Sequence, residues 1–281
     1  MERRLILDVG MHIGKDTEFY LKKGFDVVAI EANPKCVDTV QTRLAEYIAE
    51  GRLIIHNVAI APYEGEIEFY VNDKHDDWGT TSKAFAERNE RFGSSNSMIK
   101  VRCTNLSTIL RESGVPYYLK IDVEGADTLC LQQLVSNSKR PKYVSVEAGL
   151  TSFEGTFNEL SLLWRLGYRE FKIVNQALNS RVRCPDPPLE GDYLDYRFDG
   201  LCSGPFGEET PGKWMRIEET FLRYRRLLLE QRYFGADGRL YRTAFHRLYD
   251  RLKGAPAGWY DFHARLGDQP DGQASPTDTD A

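Results

Sequence analysis

The stretch from Leu5 to Gly14 constrains this chain more than any other. Leu5, Ile6, Leu7 and Val9 form a short apolar run interrupted only by Asp8. Such a run reads as a buried parallel strand, apolar on both faces. Gly10 and Gly14 follow, and Lys15 to Leu21 takes helical spacing, with Lys22 and Lys23 in the last turn and Gly24 as the stop. Strand, glycine turn and helix make the first unit of a nucleotide-binding α/β fold. Glycine at the strand end permits a sharp turn and the approach of a ligand, and the helix N-terminus offers free N–H groups. The spacing is Gly-x-x-x-Gly rather than Gly-x-Gly-x-x-Gly, which suits a ligand without pyrophosphate. Asp8 points the same way: a carboxylate at the strand tip repels phosphate and attracts an amino group or a sulfonium.

The second unit repeats the pattern. Phe25 to Ile30 is another apolar strand, and it ends in Glu31, 21 positions after Gly10. That is close to the ~20 expected for a carboxylate on a ribose diol. Pro34 suits the first turn of the next helix, expected from about residue 35 to 50. A third strand is expected over 52–60. Asn57 near its tip is either an adenine contact or an ordinary turn residue.

With 281 residues, the chain is long enough for one large α/β domain plus appendages, and 41% hydrophobic content supports a real core. The net charge of -5 argues against a nucleic-acid surface. No apolar run approaches the ~18 residues of a membrane span and no signal peptide precedes the first strand, so the expected location is cytoplasmic. The five cysteines are scattered, with no Cys-x-x-Cys pair and no paired histidine spacing, so no disulfide framework and no metal site is expected.

Residues 66–71 and 99–103 alternate as strands that could pair. Between them, 72–97 is polar, carries Trp78 and has glycine-rich ends, and reads as a mobile excursion over the site. The next buried strand, 117–121, runs into Lys120, Asp122, Glu124 and Gly125. Open α/β sheets bind ligands at this carboxyl end, and two acids beside a lysine are costly to arrange unless used. A fifth strand, 142–147, also ends in an acid. A helix over 155–166 and a strand over 168–174 follow. After residue 176 the chain turns irregular and Pro/Gly-rich, then helical over 217–234 and about 240–252. The arginines of these two helices (Arg223, Arg225, Arg226, Arg232, Arg242, Arg247, Arg251) read first as a solvated face and second as a patch for an anionic acceptor. Residues 267–281 are polar and expected to be disordered.

Three segments carry a resemblance: Asp8 to Gly14, Val28 to Pro34, and Lys120 to Gly125, which reads Lys-Ile-Asp-Val-Glu-Gly. The chain resembles the FkbM family of class I S-adenosylmethionine-dependent methyltransferases over about residues 4–175. The family's usual first loop is Asp-Val-Gly-Ala-Asn-x-Gly. Met11 and His12 replace Ala-Asn here, so a donor contact from that Asn is not carried over. The resemblance implies a seven-stranded, mostly parallel Rossmann-like sheet with a reversed last strand and helices on both faces. It implies S-adenosylmethionine as donor and a hydroxyl of a sugar or other natural product as acceptor. The expected organisation is a methyltransferase core (1–175), a C-terminal helical extension packed on it (176–266) and a tail (267–281). The expected donor-binding residues are Asp8, Gly10, His12, Gly14, Thr17, Glu31, Asn57 and Asp122. Asp122, Glu124 and His263 are the catalytic candidates, His263 in a possible base pair with Asp261. Two alternatives stand beside this reading: a catalytically silent donor-binding or partner-binding protein, and an NAD-dependent oxidoreductase, against which the missing second glycine argues.

Overall fold

β1 (Leu5–Val9) sends Leu7 and Val9 into one apolar core and Ile6 into another, so the strand is buried on both faces. A computed structural model describes residues 4–137, 139–148, 153–200, 202–235, 238–241, 243–253 and 258–267. α1 (Lys15–Lys22) follows the glycine turn and leads into β2 (Asp26–Ile30). α2 (Pro34–Arg43) is capped by the Asn33 side chain, which accepts from the Lys35 N–H, with Pro34 at its first position. The single helix expected to residue 50 breaks at Leu44, and α3 (Ala45–Ala49) completes it. The single strand expected over 52–60 also divides. β3 (Leu53–His56) pairs with β2 only as far as Ile30 opposite His56, and β4 (Ala59–Ile60) crosses to a second sheet.

β5 (Gly65–Asn72), α4 (Lys83–Arg91) and β6 (Asn96–Thr104) build the polar excursion. β4, β6 and β5 form a three-stranded sheet in that order, with Ile67 opposite Val101 and Phe69 opposite Ile99. α5 (Leu106–Ser113), capped by Asn105, returns to the main sheet at β7 (Tyr118–Ile121). α6 (Asp127–Gln133), β8 (Tyr143–Glu147), α7 (Phe153–Arg165) and β9 (Tyr168–Asn175) continue the alternation.

After β9 the chain leaves the sheet. α8 (Ile217–Phe234) packs against α7 and β9, and α9 (Ala244–Lys253) stacks Tyr249 on Phe234. β10 (Tyr260–Leu266) then returns, antiparallel to both β8 and β9. The main sheet has seven strands in the order β3-β2-β1-β7-β8-β10-β9, parallel except for β10. The boundary expected at residue 175 therefore cuts the sheet: the extension's last strand belongs to the core.

The irregular part of the extension is a plug. Phe206 is fully buried, stacks on Tyr118 and meets Tyr20 and Phe25 edge-on. Lys23 at the end of α1 forms a fully buried ion pair with Glu209, which also accepts the Leu189 and Glu190 N–H groups. Unpairing such a charge costs about 3–5 kcal/mol, so this contact fixes the extension on the core. No helix among the described residues is long and apolar enough to cross a membrane. The tail beyond Gly267 lies outside the described residues.

Candidate active site

β1 and β7 lie in register with Asp8 beside Lys120, and both side chains are buried. The Lys120 Nζ is 3.4 Å from Asp8, 3.5 Å from Asp16 and 3.2 Å from Asp122, and it donates to the Gly10 carbonyl. Burial opposes the lysine's charge, but Asp8, Asp122 and Asp16 outweigh it and hold its pKa well above the usual value. Burial raises Asp8 against the pull of Lys120 and of Thr17, whose hydroxyl donates to it at 2.6 Å. Asp16 rises to about 6 through burial, opposed by Lys120, and accepts the Ser203 N–H of the extension. This ionic layer ties together the first loop, the tip of β7 and the plug.

Above it, at the carboxyl ends of the strands, lies a cavity of about 2020 Å³. Single ligands typically occupy roughly 300–1,000 Å³, so two molecules fit side by side. Gly10, His12, Glu31, Asp122 and Glu124 all line it. Glu31 accepts the His12 N–H at 2.8 Å through one oxygen and the Asn33 N–H at 2.7 Å through the other. The carboxylate thereby pins the first loop to the second, and each oxygen keeps a lone pair for a ligand. Burial lifts its pKa despite these two bonds.

Several expected donor contacts fall elsewhere. Asp8 and Thr17 sit beneath the cavity, in the ionic layer. Gly14 caps α1 at a φ of 73°, where a Cβ would press on Val40; its role is packing. Asn57 donates to the Glu31 and Ala32 carbonyls and so supports the tip of β2 instead of lining the cavity. Gly10 lines the cavity and meets a second requirement besides ligand approach. A Cβ there would lie 1.7 Å from the Asp122 carbonyl oxygen, at a φ of 87°.

Glu124 is the unusual member. Its φ of 38° is in the left-handed region, strained for a residue with a side chain. Asp127 supports the turn by accepting the Val123 and Gly125 N–H groups. Burial, then Asp122 and Asp127, push Glu124 up to about 8, with Arg88 opposing. Glu147 at the tip of β8 and Asp261 on β10 also line the cavity, and burial followed by neighbouring carboxylates holds both well above the usual range. Among the described residues, no three such groups converge as metal ligands. His263 lies outside the cavity, buried in β10. Burial and then Lys172 depress it to about 3, so its imidazole is neutral and a weak base. This removes the Asp261–His263 base pair.

The excursion covers one side. Phe85 packs on Gly125, and Trp78, Arg88 and Arg91 face the cavity. The extension covers the other through Arg225, Arg232 and Asp261. Sequence reasoning missed Asp16, Glu147, Arg88, Arg91 and Arg239 as site residues and gave Arg225 and Arg232 only a second reading, as a patch for an anionic acceptor. Glu147 carried the one available signal, an acid at a strand's carboxyl end; the register that turns Arg225 and Arg232 inward is set by packing.

Sheet order, reversed strand and acid-tipped β1, β2 and β7 are those of a class I methyltransferase. The model of the methyltransferase FkbM domain matches residues 8–170, and the chain belongs to that family of S-adenosylmethionine-dependent methyltransferases. Among solved structures it is similar to the methyltransferase FkbM of Methylobacillus flagellatus KT, at 16% identity and a TM-score of 0.43, over 62% of this chain and 40% of that one. It is also similar to a SAM-dependent methyltransferase of Archaeoglobus fulgidus, at 12% identity and a TM-score of 0.37, over 94% and 86% of the two chains. A third is phosphoethanolamine N-methyltransferase 2 of Haemonchus contortus in complex with S-adenosyl-L-methionine, at 10% identity and a TM-score of 0.36, over 96% and 50%. The chain thus spans two fifths of the length of the FkbM structure it matches. A comparison with curated proteins finds no match.

Proposed function

We propose that this protein methylates a hydroxyl of a small-molecule or glycan acceptor, with S-adenosylmethionine as donor and Glu124 as general base. The observation that carries the reading is the meeting of Glu31 and Glu124 in one cavity with room for donor and acceptor together. The residues present fit the donor. Glu31 offers free lone pairs to a ribose diol, Ile30, Ala32, Val58 and Ile60 offer an apolar wall, and the carboxylates of the floor suit an ammonium and a sulfonium. When bound, S-adenosylmethionine supplies a sulfonium methyl carbon open to in-line attack.

The chain's own part is to orient and to take a proton. Holding reactants in line is worth ~7–11 kcal/mol, whereas a base adds roughly 3–5 kcal/mol. Positioning by Glu31 and the loop at Gly10 to His12 therefore dominates. Glu124, with a pKa near 8, is matched to accepting a hydroxyl proton near neutral pH. Asp122, about half exposed, pairs with Lys120 at the cavity floor. Calorimetry with S-adenosylhomocysteine tests the donor site. We expect binding by the wild type and at least ~tenfold weaker binding by Glu31→Ala, about 1.4 kcal/mol for a lost charge-assisted bond pair. Equal affinities would remove Glu31 from the site, and an absence of binding would remove the donor.

A further inference from the structure

Five arginines line the same cavity from its two separately inserted covers. Arg88 and Arg91 come from α4 in the excursion, and Arg225, Arg232 and Arg239 from α8 and the turn after it. Spacings of three on α4 and seven on α8 put each pair on one helix face. Arg223 and Arg226, on α8 as well, are not part of the lining. All five are solvent-exposed, and none makes a salt bridge to a described carboxylate. Arg88 lies over the Phe85 and Phe92 rings, which hold its guanidinium in place. The chain as a whole carries a charge of -5, so this ring does not follow from overall composition. Beneath it the floor is acidic: Glu31, Asp122, Glu124, Asp127, Glu147 and Asp261.

We propose that the acceptor carries a phosphate or sulfate group, and that the arginines of the two covers bind this group at the cavity mouth. The inference rests on the methyl-transfer reading and names its substrate class. The polarity of the cavity sets the direction of binding. An oxyanion gains less among the carboxyl groups of the floor than from the planar guanidinium forks at the rim. The uncharged, hydroxyl-bearing end is thereby the part that reaches Glu124. Because the rim is drawn from both covers, one anion contacting α4 and α8 also draws the excursion toward the extension.

Inorganic phosphate and inorganic sulfate serve as probes. Each is titrated into the full chain saturated with S-adenosylhomocysteine, at constant ionic strength set by potassium chloride, with binding followed by calorimetry. Three proteins are compared: the wild type, Arg91→Gln/Arg232→Gln, and Arg223→Gln/Arg226→Gln. The first pair leaves Arg88, and hence the charge beside Glu124, in place. We expect saturable binding of at least one probe by the wild type and at least tenfold weaker binding by Arg91→Gln/Arg232→Gln. Arg223→Gln/Arg226→Gln should match the wild type, and S-adenosylhomocysteine affinity should agree among all three within about twofold, which shows that each is folded. Three results overturn the proposal: no wild-type binding of either probe, equal binding by the rim variant, or equal loss in both variants. Loss of S-adenosylhomocysteine binding by the wild type, with phosphate still bound at the rim, would instead overturn the methyl-transfer reading.

Discussion

The Thr80 hydroxyl donates a 2.6 Å hydrogen bond to the Glu124 carbonyl. Thr80 is buried, and its backbone pairs in both directions with Tyr70 on β5. The excursion is thus tethered to the strained residue proposed as base. Thr80→Val keeps the shape and removes the donor, at a loss of about 1–1.5 kcal/mol. We expect limited proteolysis within 72–97 to run roughly five- to tenfold faster in the variant, and S-adenosylhomocysteine to slow cleavage in the wild type. Cleavage at equal rates in variant and wild type would mean that the tether does not hold the excursion closed.

Lys120 serves three carboxylates, two of them buried. Lys120→Ala leaves Asp8 and Asp16 without their cation, which should cost about 3–5 kcal/mol in urea unfolding. Adding Asp8→Asn removes one of the stranded charges, and we expect recovery of at least ~1 kcal/mol, because residues in one network are not additive. Strict additivity of the two substitutions would show that the layer is not a single electrostatic unit.

Gly10→Ala tests the closest backbone approach at the site. The added methyl group would sit 1.7 Å from the Asp122 carbonyl oxygen, so β1 and β7 must part at their tips. We expect a loss of about 2–4 kcal/mol of stability, with weakened S-adenosylhomocysteine binding. Wild-type stability and affinity would show that the turn accommodates a side chain.

The chain's periodicity made the sheet legible, and its acids made the site only partly so. Buried runs at β1, β2, β7 and β8 are apolar on both faces, so their identity does not depend on partners. Glu31 was legible as a residue of the cavity lining because its distance from Gly10 reflects a local βαβ geometry. Asp8 was misplaced because a strand-tip acid reads the same whether it faces a ligand or a lysine. The register beside Lys120 decides between these, and register is a long-range property. His263 misled for a similar reason: with Asp261 it makes an alternating pair on β10, but only one of the two reaches the cavity. Of the two covers, the one formed by α8 was the less legible. Arg225 and Arg232 carry the same local pattern as a solvated helix face, and only the packing of α8 on α7 and β9 turns them to the mouth.

Glu124 gives the pH dependence its sign. Its pKa lies at about 8 in the folded protein against 4.5 ordinarily, because burial, Asp122 and Asp127 disfavour the charged form. The folded state therefore binds the proton more tightly than the unfolded chain. The proton-linked stabilisation is fully present below pH 4.5 and is lost as pH rises through about 8. Glu124→Gln removes the carboxylate, so its melting temperature relative to wild type should rise between pH 5 and pH 8 and level off above. The side chain is half-buried, so solvent screening reduces the effect to roughly 1–2 kcal/mol, or about 2–6 °C. Catalysis runs the other way. A base acts only when ionised, so with a competent acceptor the single-turnover rate of the wild type should climb about tenfold per pH unit up to about 8 and then flatten. Glu124→Gln should abolish that limb and lower the plateau by roughly 10²–10⁴-fold, while S-adenosylhomocysteine affinity stays within about threefold. A melting difference that does not change with pH, together with a rate limb that survives in Glu124→Gln, would assign the ionisation to another carboxyl of the floor, with Glu147 the first to test.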